Sequence, residues 1–96
     1  MTCFVATLRI KPGREAEFER LQRELSQLTH QDEPDAYVYD VIRHREQRNT
    51  YIVYARFKDE AAFQLHMKAP FHDRLVPPIL DCVAGAMDLQ FYEWIA

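Results

Sequence analysis

The 96 residues carry 12 Lys and Arg against 15 Asp and Glu, a formal net charge of −3. Apolar residues make up 48% and charged residues 28%, a globular rather than a disordered balance. The acidic excess argues against nucleic acid or an anionic membrane as the partner, because both call for a basic face. The length fits a single domain over residues 1–96, one that buries a modest share of its surface and would gain from a partner subunit. No run of about 18 apolar residues is present, so no spanning helix is expected. The N-terminus MTCFVATLRI lacks a basic segment followed by a long apolar run and a cleavage site, and the expected location is the cytoplasm. Cys3 and Cys82, with no CxxC, read as buried thiols in a reducing compartment.

Thr2 to Ile10 alternates as a strand, with Phe4, Ala6, Leu8 and Ile10 to one side and Cys3, Val5, Thr7 and Arg9 to the other. Lys11-Pro12-Gly13 stops it. The spacing of Phe18, Leu21, Leu25 and Leu28 predicts a helix from Arg14 to about His30, with Glu19 and Arg23 four apart on its wet face. Pro34 restricts Glu33 away from helix, so Gln31 to Asp35 is a loop. Tyr37 to His44 and Tyr51 to Phe57 form a hairpin across the polar turn at Glu46 to Asn49.

Asp59 is a good N-cap for a second helix reaching about Lys68, on which Ala62, Phe63, His66 and Met67 share one face. Pro70 interrupts this helix, which resumes through Leu75 and Val76 until Pro77-Pro78 breaks or kinks it again. Gly85 is a candidate helix stop, and Met87 to Ile95 is the last strand. The order βαββαβ defines an α+β, ferredoxin-like fold: a four-stranded antiparallel sheet with two helices on one face. The second and third strands are apolar on both sides: Tyr37, Tyr39 and Val41 oppose Val38 and Ile42, while Tyr51, Val53 and Phe57 oppose Ile52 and Tyr54. Two helices cover only one face, so the other calls for a second protein surface, most simply a homodimer.

His66 is the one polar group on the apolar face of the second helix. It reads either as a core histidine satisfied by a carbonyl or water, or as a general base kept neutral by burial in an apolar pocket. The candidate walls of that pocket are Phe63, Met67 and Phe71 from the helical side and Ala6, Val53 and Phe57 from the sheet, with His72 as a second polar candidate. The same residues also read simply as core. His66 and His72 lie six apart with Pro70 between them, which is not a metal-ligand spacing, and no metal is expected. Arg56, inside an apolar strand, is assigned to an interface rather than to an anionic substrate.

An aromatic strand, then KDEAAF, a His three residues on and a Pro four further resembles the antibiotic biosynthesis monooxygenase family of small dimeric α+β barrels. The likeness runs from the first strand through Lys11-Pro12-Gly13 to the last strand, and is nearest the quinol-monooxygenase and autoinducer-2-degrading branches. It implies two sheets packed face to face in a homodimer, a pocket histidine at His66, and oxidation of a quinol or small phenolic compound by molecular oxygen with no metal or organic cofactor. The resemblance also leaves open breakdown of a small hydroxy-ketone, or a non-catalytic ligand-binding, stress-related dimer of the same fold.

The chain departs from the resemblance in two places. Related enzymes carry a Glu on the third strand where Ala55 stands, and a His directly after the proline where Phe71 stands. A one-residue shift along a continuous helix turns His72 by about 100 degrees from that position. The haem-degrading branch is not matched, since Ala6, His66 and Val76 stand at its characteristic positions. An RNA-binding module shares the strand order, but the acidic balance argues against it.

Overall fold

The computed structural model describes residues 1–96. Four strands, β1 (Thr2–Arg9), β2 (Ala36–Arg43), β3 (Thr50–Phe57) and β4 (Asp88–Glu93), form one antiparallel sheet in the order β2-β3-β1-β4. The helices are α1 (Glu15–Asp32), α2 (Glu60–Met67) and α3 (Pro70–Asp81). This is the ferredoxin-like α+β arrangement.

The helical segment after β3 is two helices rather than one. Asp59 caps α2 as expected, its Oδ1 accepting from the Ala62 N–H at 2.8 Å. Pro70 then opens α3 at its first position, where no N–H is needed. Contrary to the expectation of a break, α3 runs through Pro77 and Pro78. The carbonyls they leave without donors, four residues back, belong to the exposed Asp73 and Arg74, where water can serve them. Leu75 and Ile79 hold the opposite side of the helix in the core. Gly85 is not the helix stop; α3 ends at a Cys82 cap, and Gly85 supplies a φ of +81° in the turn before β4.

Phe4, Ala6, Leu8 and Ile10 all point into the core, against Phe18, Leu21 and Leu25 of α1. On β3 the alternation is complete: Tyr51, Val53, Ala55 and Phe57 are buried, while Ile52, Tyr54 and Arg56 face the open side. On β2 a bulge between Ala36 and Val38 makes Tyr37 the extra residue. Ala36, opposite Phe57, takes the inward place expected of Tyr37, which is largely exposed. Glu19 does not turn to Arg23; it bonds Arg43 at 2.8 Å and accepts from the Tyr51 hydroxyl, tying α1 to the hairpin.

The side of the sheet away from the helices is open. Ile42 (61% exposed), Tyr92 and Trp94 lie uncovered there, and Arg56 stacks over the Trp94 ring at 5.0 Å.

Candidate functional site

Between the helices and the inner face of the sheet lies a cavity of about 270 Å³. Phe4, Ala6, Leu8 and Val53 form its floor, and Gln22, Leu25 and Tyr39 its side toward α1 and β2. Phe63, His66, Met67, His72, Val76 and Ile79 form the roof, with Leu80, Met87 and Leu89 at the end nearest β4. The walls are overwhelmingly apolar, and the polar groups are few: His66, His72, Gln22 and the Tyr39 phenol.

Of the residues expected in such a pocket, the fold brings together Ala6, Val53, Phe63, His66, Met67 and His72. Phe57 and Phe71 do not line it. Phe57 sits one layer behind, fully buried, with its ring 5.2 Å from that of His66 and 5.5 Å from that of Phe63. Phe71 turns to the outer side of α3, into a shallow depression beside Leu28 and Leu65. The ring of His72 comes within 4.9 Å of that of His66. The rotation expected of a continuous helix does not apply, because the interruption at Lys68–Ala69 resets the helical phase before His72.

His66 is held from three sides. It is 1% exposed, and the rings of Tyr39 (4.9 Å) and Phe57 (5.2 Å) flank it. Its Nδ1 lies 3.2 and 3.3 Å from the two carboxylate oxygens of Glu33, which is itself 7% exposed. Its Nε2, on the far side of the ring from Glu33, is buried without a partner. Gln22 Nε2 is likewise buried and unpaired.

Glu33 is the functional candidate that the sequence reading missed. It lies 33 positions from His66 and looked like an ordinary loop residue ahead of a proline. Pro34 is the cause of its placement. It forces Glu33 off the helix, to φ −123° and ψ 88°, and the backbone is pinned there by Glu33 N–H to Thr29 O (2.9 Å) and Ala36 N–H to Glu33 O (3.1 Å). Where the resembling enzymes carry a Glu on the third strand, Ala55 is fully buried here, and the carboxylate beside His66 arrives from the end of α1 instead.

Burial disfavours both charged forms of this pair. It pushes the Glu33 carboxyl up to about 7, with the neighbouring Asp32 adding to the rise. It pushes the His66 imidazole down to about 4, with His72 adding to the fall. His72 is also lowered by burial, and burial raises the Tyr39 phenol well above its ordinary value. At neutral pH the imidazole facing the cavity is therefore uncharged, with one nitrogen engaged and the other free.

A fold of this order, with an apolar cavity and a buried histidine between its helices and its sheet, defines a small ferredoxin-like α+β protein. The chain belongs to the antibiotic biosynthesis monooxygenase family, whose sequence model matches residues 1–77. The match takes in Glu33, His66 and His72; Ile79, Leu80, Met87 and Leu89 of the cavity lie beyond it. Among solved structures the chain is similar to an uncharacterised Caulobacter crescentus protein assigned to this family, with 23% identity, a TM-score of 0.93, and coverage of 99% of this chain and 90% of that one. It is similar to a conserved protein of Methanosarcina mazei at 22% identity and TM-score 0.89, over 95% and 89% of the two chains. A further antibiotic biosynthesis monooxygenase is 24% identical with a TM-score of 0.90, each chain covered completely. At these identities the likeness establishes the fold. No functionally curated protein matches the sequence.

No helix is long and apolar enough to cross a membrane.

Proposed function

We propose that the protein is a monooxygenase that oxidises a quinol or small phenolic compound with molecular oxygen, without metal or organic cofactor, and that His66 is its base. One observation carries this reading: a buried, neutral imidazole with an unpartnered Nε2, belonging to a residue in the wall of a largely apolar cavity. The volume of about 270 Å³ lies just under the roughly 300–1,000 Å³ of drug-sized sites, which favours one or two fused rings.

His66 Nε2 removes the phenolic proton, and the electron-rich anion reduces oxygen in a cavity that holds water away. One oxygen atom enters the ring, giving a quinone with one oxygen more than the substrate, and the other leaves as water. All four electrons come from the substrate, so the protein need supply only the base, the dry cavity and the orientation. Ala6 and Val53 below and Phe63 and Met67 above would grip the flat ring, with His72 as a second polar contact.

The open sheet face supports a homodimer as the working unit, since a second copy would cover Ile42, Tyr92 and Trp94. The whole chain then acts as one domain per subunit. Two free, buried cysteines are in keeping with a cytoplasmic protein.

The test is oxygen uptake by purified protein over hydroquinones and polyphenols, counted above a protein-free blank and compared with His66→Ala. Uptake lost in His66→Ala supports the assignment. Uptake unchanged in the variant removes His66 from the mechanism. Absence of uptake, with proton exchange at a hydroxy-ketone carbon or binding alone, would place the protein with isomerases or ligand carriers of this fold.

A further inference from the structure

The geometry points to Glu33 as a positioning and relay residue that connects the cavity to bulk solvent through His66, a role that rests on the proposed reading of His66 as the base. Glu33 belongs to two surroundings at once. On one side its carboxylate faces His66 Nδ1 at 3.2 Å, and His66 forms part of the cavity wall. On the other side Glu33 forms part of the outer depression between the end of α1 and the start of α3, with Asp32, Lys68 and Arg74 around it. No other carboxylate bonds His66, and no other side chain bonds the Glu33 carboxylate. A buried acid with an imidazole on its inner side and a solvent-facing depression on its outer side is a proton path two residues long.

The step balances as two proton shifts. With Glu33 ionised, Nδ1–H donates to it and Nε2 is left with a free lone pair on the other side of the ring. The substrate O–H proton passes to Nε2 as the Nδ1 proton passes to Glu33. The imidazole ends neutral, in its other tautomer, and the negative charge has moved from Glu33 to the substrate oxygen. When product oxygen takes a proton from Nε2–H, the same two shifts run backwards and the pair is restored. A histidine acting alone would have to carry a positive charge among the rings of Tyr39 and Phe57, which burial opposes. The groups that bear on this equilibrium are Asp32, Lys68 and Arg74 on the Glu33 side, and His72 and Tyr39 on the His66 side.

The test needs no substrate. In the full-length protein labelled with nitrogen-15, the ring nitrogens of His66 are followed by NMR between pH 5 and pH 9, a range that brackets the Glu33 carboxyl at about 7. The expected result is a neutral ring that inverts its tautomer: Nε2 protonated at the acid end, Nδ1 protonated at the alkaline end. E33Q, still folded by its amide spectrum, should hold one tautomer throughout, and E33D, which keeps a carboxyl, should still invert. A single tautomer across the range in the wild type, or inversion that persists in E33Q, would overturn the relay. Where quinol oxidation is measurable, E33Q should lower kcat at least tenfold with KM little changed, and lose the rise in rate with pH. An unchanged pH profile in E33Q, alongside activity that is lost in His66→Ala, would also overturn it. If His66 is not a catalytic base, the inversion still occurs while E33Q has no kinetic effect to show, so the two failures are distinct.

Discussion

The Tyr39 ring lies 4.9 Å from that of His66, tilted by 48°, and 6.3 Å from that of Phe4 in an edge contact. One β2 side chain thus braces the imidazole and forms cavity wall at the same time. Removing the ring should have a large effect and removing the hydroxyl a small one. Tyr39→Ala is expected to cost about 3–5 kcal/mol, as for truncation of a buried aromatic. Tyr39→Phe should cost about 1 kcal/mol or less. Urea unfolding of the two variants measures both values, and equal losses would mean that the ring contacts contribute little.

Glu33 should make stability depend on pH in a direction unusual for a carboxylate. Its folded value, about 7, lies above its ordinary 4.5, so the folded state holds the proton more tightly between these limits. Its contribution is fully present below pH 4.5 and is lost as pH rises through about 7. His66 runs the other way: lowered from 6.5 to about 4, its contribution is present above 6.5 and is lost as pH falls through about 4. Between pH 4.5 and 6.5 the two slopes oppose each other. Glu33→Gln removes the falling slope, so its Tm relative to wild type should climb from pH 4.5 to pH 7. Thermal scans across that range test the sign, and a flat difference would contradict it.

Ala6 is the smallest side chain on the cavity floor. It lies on central strand β1, paired with Val53 on one side and Leu89 on the other, and all three line the cavity. Ala6→Leu should fill part of about 270 Å³ at little cost in stability, because the added carbons enter existing empty space. Binding of a naphthol-sized ligand, followed by calorimetry, should weaken about tenfold or more, since roughly 1.4 kcal/mol of lost contact is a factor of ten. Undiminished binding would move the ligand site elsewhere.

The open sheet face should report on assembly. Ile42 is 61% exposed on edge strand β2, on the same bare side of the sheet as Tyr92 and Trp94 at the opposite edge. Ile42→Glu would bury a charge in any interface formed there, while costing the isolated subunit little. Sedimentation velocity should show a dimer for the wild type and a shift toward monomer for the variant. Identical sedimentation of both would remove this face from the interface.

The sequence by itself determined the order of strands and helices, the inward set on β1 and β3, the Asp59 cap and the inward face of α2 that carries His66. These features follow from local rules, since alternation, helical spacing and capping act within a few residues. His66, Ala6, Val53, Phe63, Met67 and His72 were nameable as cavity candidates for the same reason. The tertiary structure decided what local rules do not reach. The bulge at Tyr37 and the course of α3 through Pro77-Pro78 depend on which backbone groups the fold leaves to solvent or to a partner strand. The interruption before Pro70 returned His72 to the cavity and sent Phe71 away from it. Glu33 came to His66 across 33 positions only because Pro34 stops α1 at that point and the β2 edge closes under α2. A buried acid–imidazole pair is a property of three-dimensional proximity and low dielectric, and no spacing within the chain encodes it.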